Sequence, residues 1–268
     1  MLLRHQLVFL LCISLTGCST FGFVFERLDW LTLWQLDRMF DLNDEQEQTL
    51  EPKAKDLQNW LRVEGFPKLI TELNQVVTLW DADQLPQAID HMESASLVLG
   101  KEALNAAMPL LTTLAESFSP NNAKHYRQYI KEKQTDWFAY AESNETKIEF
   151  RIDRLEDWFG DLTDAQVVIA SRWSMLQPNE QQIRLDNNQQ WTEKLIETAL
   201  AKDIDQLRHW LQNPEVLWSK AYQQLYDINY ANVQSMMDAL LPTLSEAQKK
   251  HARKRVNDWI KNLQEVSQ

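Results

Sequence analysis

The segment over residues 85–118 constrains the fold most, because small and apolar side chains recur every three or four positions along its whole length. One face of an α-helix repeats about every 3.6 residues, whereas a strand alternates at every second residue. The segment therefore predicts one long helix, which Pro109 is expected to bend. The residues that form this stripe are Ala88, Met92, Ala95, Leu99, Ala103, Ala107, Leu110 and Leu114.

The rest of the chain also favours helices. Glycine, which tight turns between strands usually require, occurs only five times in 268 residues. Apolar spacing predicts one helix on each side of a turn at residues 41–43. Ser119 and Asn213 each precede a proline and are predicted to begin helices near 120 and 214, and Gln177 before Pro178 marks a break. The sequence predicts an all-α fold, a multi-helix bundle of about eight to ten helices with long antiparallel neighbours.

A capping motif recurs at three of the predicted helix starts. A side-chain oxygen at the first position can accept from a free N–H of the first turn, and a glutamine three positions later can bond back to the first residue. Residues 36–41 and 155–161, which precede the first two motifs, also match each other. An internal duplication is one interpretation, and separate selection of good caps is the other. The paired residues are Asn43 with Gln46, Thr163 with Gln166, and Ser245 with Gln248.

The N-terminal residues have the pattern of a bacterial lipoprotein signal. Arg4 is followed by an apolar run over residues 7–15 and by Leu-Thr-Gly-Cys, which ends at Cys18. The run is shorter than the ~20 residues that a membrane-spanning helix needs. A plain secretory signal is the other interpretation. The predicted organisation is a lipoprotein signal peptide over 1–17, a lipid-modified N terminus and short tether over 18–27, and one all-helical domain over 28–268, with two related halves as an alternative.

Lipidation at Cys18 would decide both the location and the available chemistry. Ser19 after the modified cysteine favours the periplasmic face of the bacterial outer membrane, where acyl chains such as palmitate would hold the protein. Cys12 lies in the predicted signal, so no thiol would remain for a disulfide, a metal site or a nucleophile. The formal net charge of −12 disfavours binding to nucleic acid.

No catalytic motif stands out in the sequence. A phosphate-binding loop, a nucleophile elbow and a paired-histidine zinc motif are all missing. The remaining histidines are isolated from one another: His91, His125, His209 and His251. We therefore predict no cofactor, no metal site and no catalytic residue.

Two groups of aromatic and acidic residues are candidate binding residues. On the first predicted helix, acids lie on one face with tryptophans, an arrangement that could serve a glycosidase, although a solvated or salt-bridged edge beside core tryptophans is the simpler interpretation. A tyrosine series spaced by four residues forms one helix edge, which either seals a helix seam or lines a groove for a partner. The candidates are Trp30, Trp34, Asp37, Asp41, Tyr222, Tyr226 and Tyr230.

Two sets of residues resemble known families. Leu162, Thr163 and Gln166 resemble the Leu-Thr-x-x-Gln signature of the Spy and CpxP group, which are periplasmic helical chaperones or envelope-stress regulators. A broader set consists of Asp29, Trp30, Leu31, Trp34, Leu36, Asp37, Phe40, Asp41, Leu42, Gln46, Trp60, Arg62, Phe66, Pro67, Lys147, Arg151, Trp158, Gly160, Leu162, Thr163 and Gln166. It resembles the DUF6279 family of uncharacterised bacterial lipoproteins. That resemblance implies a lipoprotein localisation and a helical architecture, with no assigned reaction.

These observations favour an outer-membrane-anchored periplasmic lipoprotein that acts as a non-catalytic binding, scaffold or chaperone-like protein. The expected partners are the membrane, through the N-terminal lipid, and an envelope protein or polymer. The alternative is a cell-wall or lipid-acting enzyme that uses carboxylates near Trp30 and Trp34.

Overall fold

The computed structural model describes residues 18–140, 144–173 and 179–268, which form helices joined by short turns, with no strand among them. A π-helix, Leu61–Gly65, joins α3 to α4 without a break, and two short 3₁₀ helices are Pro214–Leu217 and Leu241–Thr243. The α-helices are α1 (Cys18–Phe25), α2 (Leu28–Phe40), α3 (Asp44–Trp60), α4 (Phe66–Asp81), α5 (Leu85–Ser117), α6 (Pro120–Tyr140), α7 (Asn144–Phe159), α8 (Asp164–Trp173), α9 (Glu180–Leu200), α10 (Ile204–Gln212), α11 (Lys220–Leu240) and α12 (Glu246–Val266).

The all-α prediction is confirmed for the described residues. They hold slightly more helices than the expected eight to ten, or eleven when α3 and α4 are counted as one continuous rod. The long helix is confirmed as α5, which continues through Pro109. Ser119 caps α6 as expected, because its hydroxyl accepts from Asn122 N at 3.2 Å.

Two expectations differ from the structure. Pro214 opens only a 3₁₀ turn, and α11 begins at Lys220 because the Ser219 hydroxyl accepts from Tyr222 N at 3.1 Å. In the region predicted as a tether, residues 18–25 form the helix α1. The predicted signal peptide over 1–17 and the predicted break at Gln177 lie outside the described residues.

The core consists of apolar clusters at the crossings of these helices. Fully buried Leu50 of α3 packs with Leu110 and Leu114 of α5. Fully buried Leu240 of α11 belongs to a second cluster, which α7, α8 and α12 share. The helix α4 packs against both α5 and α12 and so connects the two regions.

The capping motifs pair across the fold. The expected capping boxes are present at Asn43–Gln46 and Ser245–Gln248, and Thr163 and Gln166 exchange the same two hydrogen bonds. A fourth box, which the sequence analysis missed, joins Ser119 to Asn122. The last residue of each box is buried and also bonds to a second box; these residues are Gln46, Asn122, Gln166 and Gln248.

We call these two contacts the first and second amide joints. In the first joint, Gln46 Nε2 donates to Asn122 Oδ1 at 3.0 Å and to Ser117 O at 3.0 Å. Asn122 Nδ2 donates in return to Phe40 O at 2.7 Å. Gln46 therefore caps α3 and also bonds to the end of α5, and Asn122 caps α6 and also bonds to the end of α2.

The second amide joint has the same construction. Gln166 Nε2 donates to Gln248 Oε1 at 3.0 Å and to Thr243 O at 3.1 Å. Gln248 Nε2 donates to Gln166 Oε1 at 2.9 Å and to Asp161 O at 2.9 Å. The two joints therefore share one pattern of bonds. Internal duplication stays an interpretation, now with a three-dimensional likeness beside the likeness in sequence.

Candidate functional site

The helix α1, which begins at Cys18, is fixed to the body of the protein. Phe25 is 3 % exposed, and its ring lies 5.0 Å from the ring of Phe66 at the start of α4. Ile260 and Leu263 of α12 belong to the same apolar cluster. A lipid attached at Cys18 would therefore be connected to the domain through a packed helix.

The π-helix between α3 and α4 completes the contact with α1. Gln58 Nε2, one turn earlier, donates to Phe25 O at 2.5 Å. Arg62 lies in the π-helix, forms an ion pair with Glu26 at 2.7 Å and places its guanidinium 5.3 Å from the Phe25 ring centre. The extra residue of a π-helix changes the direction of the following side chains, and such turns often occur at functional positions.

An exposed row of side chains follows α1 and α2; we call it the N-terminal stripe and define it as Phe23, Arg27, Trp30, Trp34 and Arg38. The Trp30 and Trp34 rings stack at 6.3 Å between centroids and 17° between planes. Arg27 covers the Phe23 ring and Arg38 covers the Trp34 ring, each at 4.7 Å. The two candidate tryptophans therefore lie at the surface and outside the core.

The acids beside these tryptophans have contacts within the protein. Asp29 Oδ1 accepts from Trp30 N at 2.7 Å, and Asp37 Oδ1 accepts from Leu42 N at 3.1 Å. Asp41 has a left-handed backbone at the end of α2, and its Oδ2 accepts from Asn121 Nδ2 at 2.9 Å. These bonds cap and connect helix ends, which is a structural use of each carboxylate.

The three tyrosines of the predicted edge, Tyr222, Tyr226 and Tyr230, lie on α11. Together with Trp218, which precedes the helix, we call them the α11 edge. Tyr222 is 2 % exposed, whereas Tyr230 is 40 % exposed, so the edge passes from the core to the surface. Trp218 packs against Tyr226 at 4.9 Å, and the Tyr226 and Tyr230 rings stack at 6.3 Å and 8°.

Hydrogen bonds fix the exposed end of the α11 edge. Tyr230 OH donates to Glu93 Oε1 of α5 at 2.5 Å and accepts from Gln234 Nε2 at 2.8 Å. The bond to Glu93 raises the pKa of Tyr230 to about 12, because loss of the phenol proton would place two negative charges together. Burial raises the pKa of Tyr222.

A buried charge cluster was not recognised in the sequence analysis. Glu180 is 5 % exposed and accepts from Lys147 Nζ at 2.9 Å and from Arg184 at 2.8 Å. Burial lowers the pKa of Lys147 and of the neighbouring Arg151. Lys147 and Arg151 did occur among the residues of the family resemblance. The i, i+4 spacing of Lys147 and Arg151 does not indicate that Glu180 of α9 pairs with Lys147 and Arg184.

An open depression of about 300 Å³ lies between α4 and α5, where His91 Nε2 is 2.7 Å from Glu72. Among the residues that the structure describes, no group of three or more histidine, cysteine, aspartate or glutamate side chains could hold a metal ion. None of the described helices is both long enough and apolar enough to cross a membrane.

Comparison with known proteins identifies the family. A model described as a family of unknown function, DUF6279, matches residues 38–223, which is more than half of the chain. The chain belongs to the DUF6279 family. No curated protein and no solved structure matches it.

The matched region includes some of the structural features of the protein and excludes others. The first amide joint and the buried charge cluster lie within the DUF6279 region, as does Gln166 of the second joint. Trp30 and Trp34 precede this region, and Tyr226 and Tyr230 follow it. The matched region therefore covers most of the helical frame and leaves out the exposed Trp30, Trp34 and Tyr230.

Proposed function

We propose that this DUF6279 protein is a lipid-anchored binding protein on the periplasmic face of the bacterial outer membrane. Cys18 carries the lipid, and the helical body acts as a non-catalytic scaffold or chaperone-like protein for another envelope component. The packed contact of α1 supports this proposal, because it would hold the binding surface at a fixed position relative to the anchor.

The observation that carries the binding role is the open seam between α5 and α11. Leu85 of α5 and Leu240 of α11 belong to one buried cluster, and Glu93 meets Tyr230 further along. In this antiparallel register Leu97, one turn after Glu93, is at about the level of Tyr226. There the seam is open, since Leu97 is 46 % exposed.

The chemistry of this seam suits an apolar segment of a polypeptide. Stacked tyrosine rings offer a large apolar area with few rotatable bonds, so their ordering on binding costs little entropy. The Tyr230 bonds to Glu93 and Gln234 already hold one ring in place. Exposed Leu97 on α5 and the aromatic strip on α11 together resemble the composition of a protein interface core.

The enzyme alternative has no specific observation in its favour. Asp37 and Asp41, the carboxylates named for it, accept hydrogen bonds at the end of α2 and in the following turn. We therefore propose that these acids are structural. The Asp37→Asn and Asp41→Asn variants test this: both should lower the melting temperature. Loss of a cell-wall phenotype with unchanged melting temperature would instead support an enzyme.

Site-specific photocrosslinking in cells tests the binding role. A photoreactive residue at Tyr226 or Leu97 should give a discrete crosslinked product, whereas the same residue at exposed Gln224, on another face of α11, should not. Equal products from all three positions would show that the seam has no special role. The Cys18→Ala variant tests the anchor separately, and its continued recovery with membranes would contradict lipidation.

An aggregation assay tests the chaperone-like version. The purified protein should suppress aggregation of an unfolded client at equal or lower molar ratio, and Tyr226→Ala should weaken that protection. No protection at several-fold excess would leave the scaffold version and exclude the chaperone-like one.

A further inference from the structure

The N-terminal stripe and Cys18 lie on two successive helices joined by a short turn. α1 ends at Phe25 and α2 begins at Leu28; Glu26 N donates to Gly22 O at 2.9 Å, and Arg27, which precedes α2, has non-helical backbone angles (φ −115°, ψ 16°). At about 1.5 Å per residue, Trp34 follows Cys18 by roughly 24 Å of chain. A surface that holds Cys18 therefore has the stripe near it.

The stripe occupies the exposed side of these two helices. Trp30, Trp34 and Arg38 follow at intervals of four residues, which keeps them on one face of α2, and the contact of Arg27 with the Phe23 ring continues the row onto α1. On the opposite side, Phe25 and Leu36 are buried in the core. The body of the protein thus holds both helices with the stripe outward, where Phe23 is 61 % exposed, Trp30 57 % and Trp34 44 %.

The charges near the stripe are arranged so that its two arginines remain available. Glu26 pairs with Arg62, and Asp37 accepts a backbone bond from Leu42. Arg27 and Arg38 lie against aromatic rings and form no ion pair with a described acid. In a chain with a net charge of −12, this face presents aromatic rings and positive charge together.

We infer that the N-terminal stripe is a membrane-contact surface, seated in the headgroup layer of the bilayer that holds the acylated Cys18. This inference rests on the lipid anchor of the proposed function. Tryptophan is favoured at the boundary between hydrocarbon and water, and arginine can reach lipid phosphates while its stem stays on apolar surface. A helix that binds this way buries its apolar side about 5–10 Å into the boundary region.

The anchor identifies the bilayer as the occupant of this face. An acylated Cys18 lies in the membrane, and α1 is packed, so the stripe cannot move far from the lipid surface without unfolding α1. Contact through two points, the acyl chains and the stripe, would fix the orientation of the domain. The α5–α11 seam would then face the periplasm at one angle relative to the membrane.

Fluorescent probes test this contact. The full-length acylated protein is placed in vesicles of phosphatidylethanolamine and phosphatidylglycerol that contain doxyl-labelled phosphatidylcholine. An environment-sensitive probe is attached at Phe23→Cys or Trp34→Cys, and control probes are attached at the exposed positions Val168→Cys and Val216→Cys. No competing thiol is expected, since Cys12 is removed with the signal and Cys18 is acylated.

The lipid quencher should reduce the fluorescence of the probes at 23 and 34 more than that of both controls. Reversing both charges, with Arg27→Glu and Arg38→Glu, should reduce quenching at 34 while the protein still floats with the vesicles. Quenching at 23 and 34 that does not exceed the controls in floating protein would overturn the membrane contact alone. Failure to float would instead contradict the anchor of the proposed function.

Discussion

Replacing Gln166 by leucine would test whether the second amide joint stabilises the fold. Gln166 is 1 % exposed, and leucine fills a similar volume without polar atoms. The variant loses the two buried bonds to Gln248, at 2.9 and 3.0 Å, together with the bonds to Thr163 N and Thr243 O. Each hydrogen bond contributes about 0.5–1.5 kcal/mol net, and water can replace part of those at the exposed Thr163 and Thr243.

We therefore expect Gln166→Leu to lower the free energy of unfolding by about 2–4 kcal/mol. A domain is stable by only about 5–15 kcal/mol in total, so the shift should be large in a urea titration followed by circular dichroism. The matched control is Gln224→Leu on the exposed face of α11, which should change stability by less than about 0.5 kcal/mol.

A double variant separates the joint from a general effect of losing glutamine. Once Gln248→Leu is added to Gln166→Leu, no buried amide is left without its partner. The combined loss should therefore be smaller than the sum of the two single losses, by about 1–2 kcal/mol. Strictly additive losses, or a Gln166→Leu variant as stable as the Gln224→Leu control, would refute the role given to the joint.

Three further changes test other parts of the structure. Leu50→Ala should cost about 2–5 kcal/mol in the same titration, because it leaves a cavity at a fully buried position. Glu180→Ala should cost about 3–5 kcal/mol, since it leaves the buried Lys147 without this carboxylate, whereas Glu180→Gln should cost less. The hydrogen bond from Arg127 lowers the pKa of Glu193 in the folded protein. The ion pair therefore stabilises the fold fully at a pH above the ordinary pKa of 4.5, and this stabilisation disappears as the pH falls through the lowered pKa. Glu193→Gln should therefore reduce the loss of melting temperature on acidification.

Local patterns explain how much of the fold could be predicted. The stripe along residues 85–118 depends only on helical periodicity, and the helix α5 follows it closely. The capping of Asn43 by Gln46 depends on a spacing of three residues, which is visible in the chain. The pairing of Gln46 with Asn122 joins residues 76 positions apart, and no local spacing indicates it. The fourth box also escaped because asparagine replaces glutamine at its last position.

The same distinction applies to the candidate site. The even spacing of the tyrosines predicted a single edge on α11 but could not show that Tyr222 is buried and Tyr230 exposed. That difference depends on which helices pack against each end of α11, and α9 brings Arg184 to Tyr222. The docking of α1 was missed because its partners, Phe66 and α12, are far away in sequence. Phe21 and Phe25, seen alone, resemble part of an apolar tether.

The packing of α1 is completed late in synthesis. Phe25 is made early, whereas Ile260 and Leu263, which cover it, are made more than two hundred residues later. Until α12 emerges, Phe25 can contact Gln58, Arg62 and Phe66 but not α12. The site that holds α1 is therefore assembled from both ends of the fold, and a chain interrupted before α12 would lack one side of it.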